Sequence, residues 1–162
     1  MAKTAANVLV GVATLEIKYP IGGSYVEAGY TEDGVSIEHT TDEVDIEVEE
    51  ETYPIDSVIT KETTMVNINM AESSLFNIDK AIPGSVLAGN VITVGGGVNK
   101  HMSVKVTGKN PAGFNKVYEF PDCVASGVVT LDHKKGVKTI VNASFKVLKG
   151  AGDPFTVTDA TS

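Results

Sequence analysis

The sequence predicts a mainly β fold, a β-sandwich or curled antiparallel sheets flanked by one α-helix. Small and β-forming residues dominate a chain that contains no tryptophan, which favours strands. The apolar residues also fall in short alternating runs, as they do in half-buried strands. With 162 residues the chain is long enough to enclose a core, so we expect one domain over residues 1–162.

Period-two alternation predicts the strands in chain order. They are expected at residues 8–19, 35–38, 43–52, 58–70, 91–94, 102–107, 115–120, 123–131 and 137–147. Pro20 ends the first strand and Tyr53-Pro54 ends the third, because proline cannot donate to a ladder. Asp33-Gly34 and the segment 132–136 are typical of turns. Residues 151–162 form a polar tail with no predicted element.

One helix is predicted at about residues 72–82. Its start resembles a capping box, with Asn69 supplying the cap oxygen and Glu72 three residues later. Apolar residues then follow at the spacing of a core-facing helical stripe, namely Leu75, Ile78 and Ile82. Pro83-Gly84 ends the helix.

The segment 38–51 is strongly acidic and contains no lysine. Its eight carboxylates are Glu38, Asp42, Glu43, Asp45, Glu47, Glu49, Glu50 and Glu51. Valine and isoleucine alternate with them at 44, 46 and 48, so one strand face is apolar and the other negative. Neighbouring charges about 7 Å apart repel by roughly 0.6 kcal/mol in water. Such a row is either simply solvated, or it repels something or pairs with a basic partner.

The charge is unevenly distributed along the chain. Residues 1–60 hold two lysines and thirteen acids, whereas residues 61–162 hold eleven lysines and eight acids. Such a chain can present complementary surfaces to copies of itself, unless both sets share one solvated surface after folding. The sequence has no arginine and a net charge of −8, which argues against tight nucleic-acid binding.

No catalytic, metal or cofactor site is predicted, and we do not expect an enzyme. His39, His101 and His133 lack metal-ligand spacing, and the lone Cys123 is interpreted as a small buried hydrophobe. The acidic segment lacks the spacing of an EF-hand, although weak divalent binding stays open. No apolar run is long enough to span a membrane, and the N-terminal one is too short and interrupted for a signal peptide.

The order of these features resembles the tail tube (major tail) proteins of tailed bacteriophages. The resemblance is strongest over residues 29–82 and rests on four consecutive stretches. They are GYTEDGVSIE, the acidic VDIEVEEE, the strand TKETTMVNINM and the helix AESSLFNIDKAI. The later strands agree only in number and length.

The resemblance implies a structural virion protein. Six copies would form a ring whose inner sheets join into a β-barrel, and rings would stack into a tube through which genome DNA passes. The partners would be other copies of the chain and the tape-measure, tail-tip and terminator proteins, with only transient, non-specific contact to DNA and no membrane binding. The location would be the virion, and the host cytoplasm during assembly. A long flexible tail, a contractile-tail inner tube and a related injection machine stay open.

The resemblance also implies specific assembly elements. A hairpin arm reaching a neighbouring subunit or ring would lie within about residues 40–60, including Tyr53, Pro54 and Ile55. The segments 1–7 and 153–162 would become ordered on assembly.

Two placements of the acidic side chains are open. We expect some of them to line the channel and give it an acidic lining, with Glu43, Asp45, Glu47, Glu49 and Glu51 as the lumen-facing candidates. They could instead lie in the arm and meet lysines of an adjacent ring, for which Lys134, Lys135 and Lys138 are the candidates. A rival function is an acidic β-sandwich binding module that recognises a basic partner, a peptide or a sugar.

Overall fold

The structure, a computed structural model, describes residues 13–111 and 113–160. These residues form a mainly β fold with one helix, as the sequence predicts. The elements are β1 (Thr14–Lys18), β2 (Tyr25–Glu27), β3 (Thr31–Ile46), β4 (Asp56–Met70), α1 (Leu75–Ala81), β5 (Val86–Ala88), β6 (Val91–Thr93), β7 (Met102–Gly108), β8 (Lys116–Ala125), β9 (Val141–Val147) and β10 (Thr156–Asp159).

Most of the strands belong to one antiparallel sheet, in the order β2-β1-β7-β8-β9-β4-β3. Strand β8 is shared between two parts of this sheet. Its first half pairs with β10, whereas residues 123–125 pair with β9. A register shift around Pro121 and Asp122 separates the two halves, and such a bulge bends a strand. Strands β5 and β6 form a separate two-stranded ribbon.

The core is built mainly from buried side chains of this sheet. The predicted inward face of β4 is confirmed, because Val66, Ile68 and Met70 are all buried. The largest fully buried apolar side chains are Phe120, Phe145, Leu15, Ile17, Ile68, Met70 and Met102. Phe155 packs against the edge of this core, with its ring 5.5 Å from that of Phe120.

Two pairs of predicted strands are single strands in the structure. Residues 35–38 and 43–52 were expected to be separate, but β3 runs from Thr31 without interruption to Ile46. Asp33-Gly34 is not a hairpin turn. It forms a bulge, with φ angles of 57° and 78°, where the register with β4 shifts. The segments 115–120 and 123–131 are likewise joined in β8, which ends at Ala125.

Other boundaries also differ from the prediction, and β9 begins at Val141 rather than at residue 137. The acidic strand stops at Ile46, because the backbone N–H of Ile55 bonds the carbonyl of Ile46 at 2.9 Å and closes the hairpin there. The polar tail contains β10, which pairs with Lys116–Glu119 of β8 within the same chain. The segment 1–7 lies outside the described residues.

The helix is shorter than predicted and has a different cap. Helix α1 covers Leu75–Ala81, and the side chain of Ser74 accepts from the backbone N–H of Asn77. Asn69 cannot cap it, because it is still paired with Asn142 in the β4–β9 ladder. The predicted apolar stripe is also wrong in part. Leu75 is exposed, and the buried residues of α1 are Asn77, Asp79, Lys80 and Ala81.

Candidate functional site: an acidic hairpin arm and a cleft at its base

Residues 39–62 form a two-stranded hairpin, here called the arm, and every one of them is exposed. The remaining described residues are called the body. Strand β4 shows the transition, since its first seven residues are exposed and burial then alternates up to Met70. The arm is therefore the distal part of β3 and β4, extending beyond the core. Residues 47–55 connect its strands and are called the tip.

The two strands of the arm pair in a defined register. Asp42 lies opposite Lys61, and Val44 lies opposite Val58. Between these pairs Thr60 is an extra residue, and its hydroxyl donates to the carbonyl of Asp42 at 3.1 Å. The bulge adds one residue to β4, and the alternation of side chains between the two faces resumes beyond it. It therefore determines which side chains of β3 and β4 share a face in the distal part of the arm.

The two faces of the arm have different chemistry. Val44, Ile46 and Val58 share one face and are 57%, 43% and 48% exposed. Glu43 and Asp45 lie on the opposite face together with Ile59, which is 51% exposed, and there the Ser57 hydroxyl donates to Glu43 at 3.2 Å. The alternation predicted from the sequence is thus confirmed as far as Ile46. Within the described residues nothing covers this apolar face.

The tip combines carboxylates with exposed apolar groups. Glu47, Glu49 and Glu51 are exposed, together with Glu50. Tyr53 is 83% and Ile55 57% exposed. The tip therefore presents an aromatic and an aliphatic side chain surrounded by negative charge.

The predicted lumen-facing residues all fall within the arm. Glu43 and Asp45 are in its strand β3, and Glu47, Glu49 and Glu51 are in its tip. The arm is the second of the two placements considered for the acidic segment. Lining of a channel by these five side chains stays a prediction.

The candidate lysines lie at the other end of the body. Lys134, Lys135 and Lys138 are in the connection before β9, whose first residue, Val141, pairs with Met70 at the end of β4 furthest from the arm. Two of the three already have partners in the same chain. Lys138 pairs with Glu32, and Lys134 lies 3.7 Å from Asp132.

A cleft of about 470 Å³ opens where the arm joins the body. We call it the base cleft, and its lining residues are His39, Glu62, Thr64, Val147, Leu148, Lys149, Pro154 and Phe155. His39 Nδ1 lies 2.7 Å from the Thr64 hydroxyl, and its ring lies 6.0 Å from that of Phe155. Separate segments of the chain therefore form the cleft, which no sequence motif indicates.

The body also contains a buried ionic cluster that sequence reasoning missed. Asp79 is 1% exposed, accepts from Lys80 at 2.7 Å and forms a second ion pair with Lys100. The Ser85 hydroxyl donates to the same carboxylate at 2.9 Å, and Lys80 Nζ lies 3.8 Å from the Tyr19 ring centroid. We call Asp79, Lys80, Lys100 and Ser85 the Asp79 cluster.

The protonation of Asp79 follows from these contacts. Burial works to raise the pKa of this carboxyl group, but hydrogen bonds from Lys100, Lys80 and Ser85 outweigh it and hold the pKa below its ordinary value. The carboxylate is therefore charged at neutral pH and fixes α1 to the segments that follow it. This role is structural, since Asp79 does not line the base cleft and lies outside the arm.

The other candidate groups do not converge on a site. Burial, reinforced by the charge of Asp122, raises the pKa of Cys123 to about 12, so its thiol is inert at neutral pH. His101 lies 2.7 Å from Asp122, and His133 lies 3.1 Å from the Thr139 hydroxyl. Within residues 13–111 and 113–160, no three His, Cys, Asp or Glu side chains are placed to hold a metal ion. In the same residues no helix has the length and apolar character needed to cross a membrane.

No protein-family model matches the chain, and a search of curated proteins found no match.

Proposed function

We propose that this chain is a structural virion protein, the tail tube protein of a tailed bacteriophage. Copies would close into hexameric rings that stack into a channel for genome DNA. The observation that carries the proposal is the arm, an exposed hairpin with an unpartnered apolar face that extends from a mainly β body with one helix. The arm, residues 39–62, covers the range of about 40–60 in which the family resemblance implies such a hairpin.

The exposed apolar face favours a protein partner. Val44, Ile46 and Val58 are about half exposed in the single chain, and burying such side chains fully contributes roughly 1.5–3 kcal/mol each. A projecting ribbon that remained in water would forgo this contribution. Contact with another copy of the same chain would bury this face without requiring a different protein.

The charge of the arm favours contact with a different surface of the neighbour. Two arms would bring several carboxylates of each tip close together, and like charges in contact are unfavourable. An arm that reaches the body of the neighbour avoids this repulsion. Such a contact joins two different patches and is therefore heterologous, which is the type that produces rings and stacked series.

The absence of arginine suits a passage for DNA. A channel must let the duplex slide, and arginine would hold phosphates by bidentate contacts. At physiological salt, charges act over about 8 Å. The net negative charge of the chain would therefore repel DNA only when the duplex comes close to the channel wall. We place the acidic side chains of residues 43–51 primarily in inter-copy contacts, because they lie on the arm.

The rival function is an acidic binding module that takes a basic partner, a peptide or a sugar. The exposed carboxylates of the tip and the base cleft favour it. This rival requires no self-association. It predicts a monomer or small oligomer at every concentration.

Electron microscopy of a concentration series tests the proposal against its rival. A matched control replaces residues 43–60 by Asn-Gly, a two-residue hairpin turn between the directly paired Asp42 and Lys61. We expect rings or hollow tubes for the natural chain and none for the shortened one, with both bodies folded by circular dichroism. A monodisperse natural monomer even when concentrated would contradict the proposal and favour the binding module.

A further inference from the structure

We infer that the base cleft of one copy receives residues 53–55 from the tip of a neighbouring copy, in a head-to-tail series. This inference rests on the proposed function, because it identifies the surface that the arm contacts. It also replaces the lysine loop before β9 as the receiving surface. Four properties of the cleft and the tip support it.

The first property is the size and lining of the cleft. Val147, Leu148 and Phe155 provide apolar surface, and Pro154 lies beside them. Its volume of about 470 Å³ is well above the roughly 150 Å³ cavity that accommodates a benzene molecule. An aromatic side chain with part of its neighbours therefore fits.

The second property is the chemistry of the tip. Tyr53 is the most exposed large side chain of the arm at 83%, and Ile55 is 57% exposed. A tyrosine carries a large apolar ring and a hydroxyl that needs a hydrogen-bond partner when buried. The cleft supplies an acceptor, because the Glu62 carboxylate lines it and its side chain is exposed, whereas His39 and Thr64 bond each other.

The third property is charge. Glu49, Glu50 and Glu51 directly precede this part of the tip. Lys149 lines the cleft and forms no ion pair within the described residues, whereas Lys134 and Lys138 both do. Lys149 is therefore available to the carboxylates of an incoming tip, although Glu62 in the same lining offsets its charge.

The fourth property is the distance between tip and cleft within one copy. At roughly 3.3 Å per residue, the strand from His39 to Ile46 alone spans about 23 Å. The tip of a chain cannot fold back into its own cleft. A tip that fills the cleft of the next copy leaves one tip and one cleft free at the ends, so the series continues.

Site-directed crosslinking tests the contact. One variant carries Thr52→Cys in the tip and a second carries Ala151→Cys beside the cleft, and they are mixed under assembling conditions with a short bismaleimide. Both positions are exposed, and the native Cys123 is buried. We expect crosslinked pairs of the two variants. The control mixture of Thr52→Cys with Lys135→Cys, in the lysine loop, should give none.

A double variant, Thr52→Cys with Ala151→Cys, distinguishes the two ways of filling the clefts. A head-to-tail series gives a ladder of crosslinked species beyond the dimer. Reciprocal exchange of two arms stops at the dimer and would overturn the head-to-tail arrangement. Tubes that crosslink Thr52→Cys only to Lys135→Cys would overturn the cleft and leave the proposed function standing.

Substitution of Tyr53 measures its contribution. Tyr53→Ala should raise the concentration needed for assembly by at least about tenfold, whereas Tyr30→Ala should leave it unchanged. Tyr30 is a matched control, since it is 80% exposed but belongs to the body. Equal effects of the two substitutions would contradict the inference. A chain that never assembles and never crosslinks would overturn both the inference and the proposed function.

Discussion

The body and the arm treat their polar and apolar groups in opposite ways. In the body the charged groups of the Asp79 cluster are buried and paired, and among the described residues no buried side-chain nitrogen or oxygen lacks a partner. In the arm valine and isoleucine side chains are exposed beside exposed carboxylates. The buried charges of the body are thus paired within one chain, whereas the apolar face of the arm has no cover within the described residues, although the body also exposes single apolar side chains such as Val98 and Val128. Substitutions should therefore separate stability from assembly.

The largest effect is expected for Asp79→Asn. The substitution keeps the shape of the side chain but leaves the buried Lys80 and the partly buried Lys100 without a countercharge. Breaking a buried pair in this way costs about 3–5 kcal/mol, measured as the free energy of unfolding in denaturant. Asp132→Asn, which removes an exposed ion pair, is the control and should change little. Comparable losses would contradict the assigned role of the cluster.

The same cluster predicts a dependence of stability on pH. The native pKa of Asp79 is below its ordinary value of 3.8, so the folded state favours the charged form. Its contribution is fully present above the unfolded pKa and is lost as pH falls through the native pKa. The difference in unfolding free energy between the natural chain and Asp79→Asn should therefore narrow below pH 3.8. A constant difference down to strongly acidic pH would contradict the assignment.

A smaller loss is expected for Gly97→Ala. A Cβ atom there would lie 1.7 Å from the carbonyl oxygen of Gly84, and two backbone segments would have to separate. Overpacking of this kind costs about 1–3 kcal/mol. Gly22→Ala is the control, because a Cβ atom added at Gly22 would meet nothing within 4 Å beyond its own chain neighbours. Thermal unfolding of both variants measures the difference. Equal melting temperatures would contradict the close approach of the backbone at Gly84 and Gly97.

The smallest effect on stability and a clear effect on assembly are expected in the arm. Val44→Thr with Val58→Thr preserves β-branching but makes the apolar face polar. The free energy of unfolding should change by less than about 0.5 kcal/mol per site. The concentration for assembly, followed by sedimentation velocity, should rise about tenfold, which corresponds to roughly 1.4 kcal/mol. Val128→Thr, at an 83% exposed position of the body, is the control and should assemble normally.

The sequence predicts the parts of the fold that depend on local alternation. Val66, Ile68 and Met70 face the core as their period of two indicates, and Val44 and Ile46 share a face opposite Asp45. The sequence does not predict conformations that depend on pairing with a strand distant along the chain. Asp and Gly tolerate the left-handed backbone conformation that both a tight turn and a bulge require. At Asp33-Gly34 only the pairing of β3 with β4 selects the bulge.

The helix and the base cleft show the same limit. Asn69 has a suitable side chain for a cap, but pairing with β9 keeps it in the ladder, and Ser74 becomes the cap. Asp79 and Lys80 are adjacent charged residues of a short helix, which would ordinarily face water. Lys100 and Ser85 make their burial possible. The base cleft was not predictable, because its lining comes from separate segments that only the fold brings together.

The sharing of β8 between β9 and β10 has a consequence for the order of folding. Pairing within β3 and β4 is nearly local at the closed end of the hairpin, and local contacts form fastest. In the body, by contrast, paired strands are distant in the sequence. Strand β1 pairs with β7, and β8 pairs with β10, which ends at Asp159. During synthesis the arm can therefore form while the sheet around β8 still lacks partners.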